Sequence, residues 1–185
     1  RFDDELWELV PEEPGPPPAH LVSFVAALPE AEHVLDLGCG DGRLSTSLRA
    51  GALTAADVSP VALRRAARRL PDAELALVGV DEPLPFVDNE FELVLCAETI
   101  EHVRDVQLFL SEIRRVLRPG GGLALTTPAW SRWRLVRGFE RELDPLSPHL
   151  RFFTQRSLGR LLDAMGFQVD SMRRRNGTLH VRATR

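Results

Sequence analysis

The chain is 185 residues long, 44% hydrophobic and 27% charged, with a formal net charge of −4. That length suits one domain around one core, and the composition is that of an ordinary globular protein, which sets aside disordered, fibrous and collagen-like classes. No apolar run reaches the roughly 18–20 residues that span a bilayer, and two distant cysteines, Cys39 and Cys96, supply neither a disulfide framework nor zinc-type spacing.

A reducing, cytoplasmic setting is therefore expected, with no membrane partner. The opening stretch is acidic and then proline-rich, which is not the pattern of a secretory signal. Arg1 stands first with no initiator methionine, as expected of a trimmed or processed chain. Lysine and tyrosine do not occur, so neither an amine nor a phenol is at hand as a catalytic base. Charge is unevenly spread: residues 128–185 carry 12 arginines against 5 acidic residues, whereas the remainder is acidic. Arginine clusters suit phosphate or carboxylate groups, and they also make ordinary solvated helix faces and strand ends.

Residues 2–10 read as a short amphipathic helix carrying Phe2, Leu6, Trp7 and Leu9, followed by a proline-rich linker over 11–18. Helical periodicity resumes over 19–28. From His33 onward, short apolar runs at 33–37, 52–57, 74–79, 91–97 and 121–127 alternate with helical stretches at 43–50, 60–70 and 105–117. Such alternation predicts parallel strands joined by crossover helices. Ser59 and Pro60 open the second of those helices, and Pro119 and Gly120 stop the third. A helix over 154–165 is bounded by Thr154 and Gly166. Strands at 167–173 and 178–184 follow, joined by an Asn176–Gly177 hairpin turn. Residues 128–150 fit no element; an insertion there would hang over the carboxyl edge of the sheet, where open α/β sheets bind ligands.

The sharpest local signal is Val34-Leu35-Asp36-Leu37-Gly38-Cys39-Gly40-Asp41-Gly42, an apolar strand running into a loop with glycine at every second position. Glycines there allow positive φ and close backbone approach to a ligand. The helix expected beyond the loop would favour an anionic group at its N-terminus. A dinucleotide fingerprint fails, because its third glycine would fall at Arg43. Asp57 ends the second strand at a spacing suited to a sugar diol.

This passage resembles the first motif of the class I S-adenosylmethionine (SAM)-dependent methyltransferases, in their small-molecule, type 11-like branch, and the likeness runs over roughly residues 20–185. It implies a Rossmann-like, doubly wound α/β fold. The sheet would be mostly parallel and seven-stranded, with a C-terminal antiparallel hairpin, in a single domain over 1–185. Residues 1–30 would form an N-terminal helical cap and 128–150 a substrate-side insertion. The resemblance implies SAM as cofactor, held at its methionine end by Asp36, Gly38, Cys39, Gly40 and Gly42. Asp57 would hold the ribose, Val58 would pack on adenine, Val80 and Asp81 would lie beside adenine, and Cys96 and Ala97 would touch the methionine part. The family's usual aspartate directly after Gly79 is here Val80, with Asp81 one position later.

Glu98, Glu101 and His102 follow the fourth strand at i, i+3 and i+4, one face of a helical turn. With His149 they resemble the ligand set of metal-dependent relatives, in which a divalent ion lowers the pKa of an acceptor hydroxyl. His102 and His149 are also the candidate general bases, and a purely structural histidine pair is a third reading. Trp7, Trp130, Trp133, Phe139 and Phe152 are candidate walls of the acceptor pocket. The expected activity is methyl transfer to an O or N atom of a small-molecule acceptor, anionic or a natural-product intermediate, by a monomer or homodimer. The alternatives are an RNA-directed or metal-assisted O-methyltransferase, and a non-catalytic SAM-binding partner protein. Overall acidity and the lack of an RNA-binding appendage speak against nucleic acid.

Overall fold

Apolar residues on both faces of successive strands set the architecture, because strands of that kind need cover on either side. The computed structural model describes residues 7–12, 14–130 and 150–185. Its strands are β1 Ala31–Leu37, β2 Ala50–Asp57, β3 Glu74–Leu77, β4 Phe91–Ala97, β5 Leu117–Pro128, β6 Gln168–Arg175 and β7 Thr178–Thr184. They form one sheet in the order β3-β2-β1-β4-β5-β7-β6. The first five are parallel, and β7 runs antiparallel between β5 and β6. The Rossmann-like, mostly parallel seven-stranded sheet with its C-terminal hairpin is thus present as expected.

The helices are α1 Ala19–Ala26, α2 Pro60–Arg69, α3 Val106–Val116 and α4 Gln155–Ala164. On one face Val34, Leu95 and Ala124 meet Val25 of α1, and Ala55 meets Leu63 and Ala66 of α2. On the other, Leu35, Val94, Leu123 and Leu125 meet Ile113 of α3 and Leu158 and Leu162 of α4. Two helix starts are capped where the sequence suggests, by Ser59 and Thr154, and a third is capped by Asp105. Ser59 accepts from the Ala62 amide, Asp105 from Gln107 and Leu108, and Thr154 and Ser157 form a reciprocal capping box. Asn176 and Gly177, at φ 48° and 82°, make the hairpin turn. Among the described residues no helix is long and apolar enough to cross a membrane.

One element differs from expectation. In place of a helix over 43–50 there is a single 3-10 turn, Ser45–Ser47, and β2 already begins at Ala50, opposite Ala31. Residues 43 and 44 are a turn that leads into the 3-10 turn, the Thr46 amide reaches back to the Gly42 carbonyl at 3.3 Å, and only Leu48 and Arg49 separate the 3-10 turn from β2.

The loop between β3 and β4 also lacks a helix and is held by polar side chains. Glu112 of α3 accepts the Leu84 amide at 2.7 Å, and Arg115 donates to the carbonyls of Leu84 and Phe86 and to Asp88. The Arg115 guanidinium beside it, opposed by partial burial, holds the Glu112 carboxyl below the usual range. Glu112→Ala strands the Leu84 amide and one arm of Arg115. It is expected to lower stability by ~1–3 kcal/mol with the sheet intact, as read by urea unfolding followed by circular dichroism.

Candidate cofactor cleft and acceptor side

The chain leaves β1 for β2 on one side of the sheet, while β4 lies on the other, so a crevice opens at the carboxyl ends of β1 and β4. The glycine loop enters that crevice. Gly38 has φ 81°, and a Cβ there would stand 2.4 Å from the Thr99 hydroxyl, so only glycine lets the end of β1 approach the β4 exit this closely. Gly40, at φ 56°, would place a Cβ 2.7 Å from the indole of Trp7. The register of β1 and β2 brings Gly38 and Cys39 onto the Ala56 carbonyl, at 2.8 and 3.0 Å. Asp57 then lies beside the loop: its carboxylate accepts the Gly40 amide at 2.8 Å and the Ser59 amide at 2.9 Å, and it is only 7% exposed.

Asp36 is turned beneath the loop, not into the crevice. It is 2% exposed and accepts the Ser45 hydroxyl at 2.5 Å. Cys39 and Cys96 are both buried, Cys96 within the core on the α3 and α4 side. Val58 packs against that same core and Ala97 against the α1 side, both partly buried. On the loop after β3, Val80 is partly exposed, and Asp81, at φ 54°, directs its carboxylate to the Asp105 amide at the start of α3.

Beyond β4 the expected helical face is not formed. Glu98 has φ 53° and donates its amide to the carbonyl and hydroxyl of Thr126; only Ile100–His102 are helical, in a 3-10 turn. Glu98, Glu101 and His102 therefore do not share one α-helical face, because a left-handed residue stands where the turn would have to begin. Glu101 points into the core, where its Oε2 accepts the Thr127 hydroxyl at 2.9 Å, and its carbonyl accepts the Leu150 amide at 2.8 Å. His102 looks outward, its Nε2 4.0 Å from Glu101 Oε1. Among the described residues no three His, Cys, Asp or Glu side chains gather as a metal would need. His149, Trp133 and Phe139 lie outside the described residues. The two flanks of that segment meet at the same sheet edge, where Ala129 bridges Phe153 and the Trp130 amide donates to the Phe153 carbonyl.

A family model described as a methyltransferase domain matches residues 35–125, the stretch from β1 through β5. An uncharacterized methyltransferase of Synechocystis is 34% identical over 77% of this chain and 70% of its own length. The chain belongs to the class I SAM-dependent methyltransferases. A fatty-acid O-methyltransferase of Mycolicibacterium smegmatis is 32% identical over 63% of the chain, which spans about half of that relative (53%). A putative methyltransferase from Bacillus halodurans shares the fold at TM-score 0.75, with 18% identity over 90% of this chain and 99% of that one.

In this methyltransferase four buried carboxyls crowd the carboxyl ends of β1, β2 and β4: Asp36, Asp41, Asp57 and Glu101, of which Asp41 is paired with Arg43 and Arg69. Burial, helped by the neighbouring Asp57 charge and opposed by the Ser45 hydrogen bond, lifts Asp36 to about 7. Burial, with the Glu98 charge, lifts Glu101 to about 8 against its hydrogen bonds. Burial also pushes both cysteine thiols up, chiefly by itself and then by nearby carboxylates, so neither is a reactive thiolate at neutral pH. Sequence reasoning passed over Ser45, Thr99, Thr126 and Thr127, which organise these carboxyls and the crevice. The available hint was a pair of hydroxyl residues at the end of an otherwise apolar strand, 126–127.

Because the folded-state pKa of Glu101 is raised, the folded protein holds a proton that the unfolded chain releases above about pH 4.5. The stability this contributes is full below that pH and is lost as pH rises through about 8. Asp36 acts in the same direction between about 4 and 7. Glu101→Gln stays neutral, so its thermal midpoint should fall less steeply from pH 5 to 8.5 than that of the parent. Parallel curves would contradict the buried, protonated state of Glu101.

Proposed function

We propose that this methyltransferase carries the methyl group of SAM to an oxygen of a small anionic acceptor, most simply a carboxylate. The observation that carries the cofactor half is the junction of Gly40, Asp57 and Ser59 at the β1–β4 crevice. The glycine loop lies too close to its neighbours for any Cβ at Gly38 or Gly40, a backbone cradle of the kind that such a ligand requires. Gly38, Cys39, Gly40 and Gly42 would hold the methionine end through main-chain groups, with Asp36 bracing the loop from below through Ser45. Asp57, whose carboxylate oxygens accept the Gly40 and Ser59 amides, would also receive the ribose hydroxyls. Val58 and Val80 offer apolar surface for the adenine. Asp81 would reach the adenine amino group only by releasing the Asp105 amide. Ala97 would approach the methionine part directly, and Cys96 would support it from within the core.

When bound, SAM supplies a methyl group already activated on a sulfonium sulfur, which leaves with the C–S electron pair as the acceptor oxygen bonds to carbon. The chain's own task is alignment and exclusion of water. A carboxylate acceptor needs no base. That agrees with a described site in which Glu101 is buried and holds its proton and His102 faces outward. One O-methyltransferase among the relatives acts, by its name, on a fatty acid. For a hydroxyl acceptor, His102 or His149 would take the proton. A metal on Glu98, Glu101, His102 and His149 would require Glu101 to swing out of the core and give up Thr127.

The test begins with calorimetric titration of S-adenosylhomocysteine, then of NAD, into the full chain. Binding of the first and not the second is expected. Asp57→Asn sets an amide group against a backbone N–H and should weaken binding tenfold or more, about 1.5–3 kcal/mol; near-native affinity would refute the ribose assignment. Radiolabel from methyl-labelled SAM, offered a panel of carboxylic acids, alcohols and amines, should enter the acids. Label confined to amines would overturn the acceptor class.

A further inference from the structure

Trp7 stands where the proposed cofactor has to pass. Its indole Cζ2 and Cη2 would lie 2.7 and 2.9 Å from a Cβ on Gly40, so the ring rests on the middle of the glycine loop. An indole and a ligand drawn up to the Gly40 backbone cannot share that space.

The segment bearing Trp7 is gripped from outside by arginines of α2 and of the loop. The Arg65 guanidinium lies 5.8 Å from the Trp7 ring centroid and donates to the Pro11 carbonyl at 3.2 Å. Arg68 pairs with Glu12 at 3.5 Å, and Arg43 donates to the Gly15 carbonyl at 2.7 Å. These are exposed polar contacts, individually weak and quickly broken. Beneath the segment lies an open cavity of about 440 Å³ between Glu8, Leu9 and Glu12 on one side and Arg64, Arg65 and Arg68 on the other. Leu9 is 81% exposed, whereas Trp7 and Val10 are half-buried, so the segment's apolar hold is confined to those two side chains. Its C-terminal end is firm: Pro16, Pro17 and Pro18 lead into α1, which Leu21 and Val25 anchor in the core.

We propose that residues 7–12 form a cover, hinged at the prolines that lead into α1, in which Trp7 plugs the cleft over Gly40 until SAM displaces it. Arg65 is the latch, holding the indole closed by stacking on it and by binding the Pro11 carbonyl. The inference rests on the cofactor reading above and adds a direction: the cover opposes binding in the free protein. A binding-competent state populated only a tenth of the time weakens apparent affinity about tenfold, and removing the plug recovers that factor.

The test is surface plasmon resonance of S-adenosylhomocysteine on the immobilised full chain, comparing the parent with Trp7→Ala and Arg65→Ala. Both variants should associate faster and bind about five- to tenfold tighter. Unchanged or weaker binding by Trp7→Ala, with the parent binding normally, would show that Trp7 is a wall of the site or irrelevant to it, and would overturn the plug alone. Should Trp7→Ala fail to fold by circular dichroism, Arg65→Ala, which does not enter the cleft, decides in the same way. A parent chain that binds no S-adenosylhomocysteine would remove the cofactor reading and this inference together.

Discussion

The carboxylate of Asp57 accepts the amides of Gly40 and Ser59, and by doing so it locks the loop after β1 to the turn after β2. That bond depends on the parallel register, which places Leu37 opposite Ala56 and so brings Gly38 level with Asp57. It in turn fixes the loop's close passage past Thr99 on the β4 side. A backbone drawn this tight leaves no room for a Cβ at Gly38 or Gly40, and the amides of Gly38, Cys39, Gly40 and Gly42 are taken up by Ala56, Asp57 and Cys39.

Carboxyl groups gather here at some cost. Asp36 and Glu101 are buried and hold their protons towards neutral pH, because desolvation outweighs the single hydroxyl each one receives, Ser45 and Thr127 respectively. Asp57 instead receives two backbone amides. The three acids thus serve different ends: two are pins inside the fold, and one stands at the mouth of the crevice. Groups of this kind concentrate where function imposes strain, in keeping with left-handed backbone at Asp81 and Glu98 on the same edge of the sheet.

The acceptor side is built from long-range contacts. Glu101 links the 3-10 turn to β5 through Thr127 and to residue 150 through its carbonyl, while Ala129 and Trp130 pair with Phe153. Arg151, whose guanidinium donates to the carbonyls of Val103 and Arg104, is committed to this same scaffold and does not supply a free cation for an anionic acceptor. The flanks of the segment over 131–149 are thus tied to each other and to the turn after β4.

Local pattern decided most of the architecture. Strand-helix alternation required a covered parallel sheet, Ser59 and Thr154 marked helix starts, Asn176–Gly177 marked the hairpin, and the spaced glycines marked the tight loop after β1. These are short-range effects of sterics, hydrogen-bond capping and periodicity, and they are readable from neighbouring residues. Partner choice was not. That Asp36 turns under Ser45, that Glu101 enters the core to meet a threonine 26 positions away, and that Trp7 settles on Gly40 all follow from which chain segments the sheet brings side by side. The helix expected after the glycine loop is cut to one 3-10 turn because β2 pairs with β1 from Ala50 onward, a pairing set by the assembled sheet and not by local helix propensity.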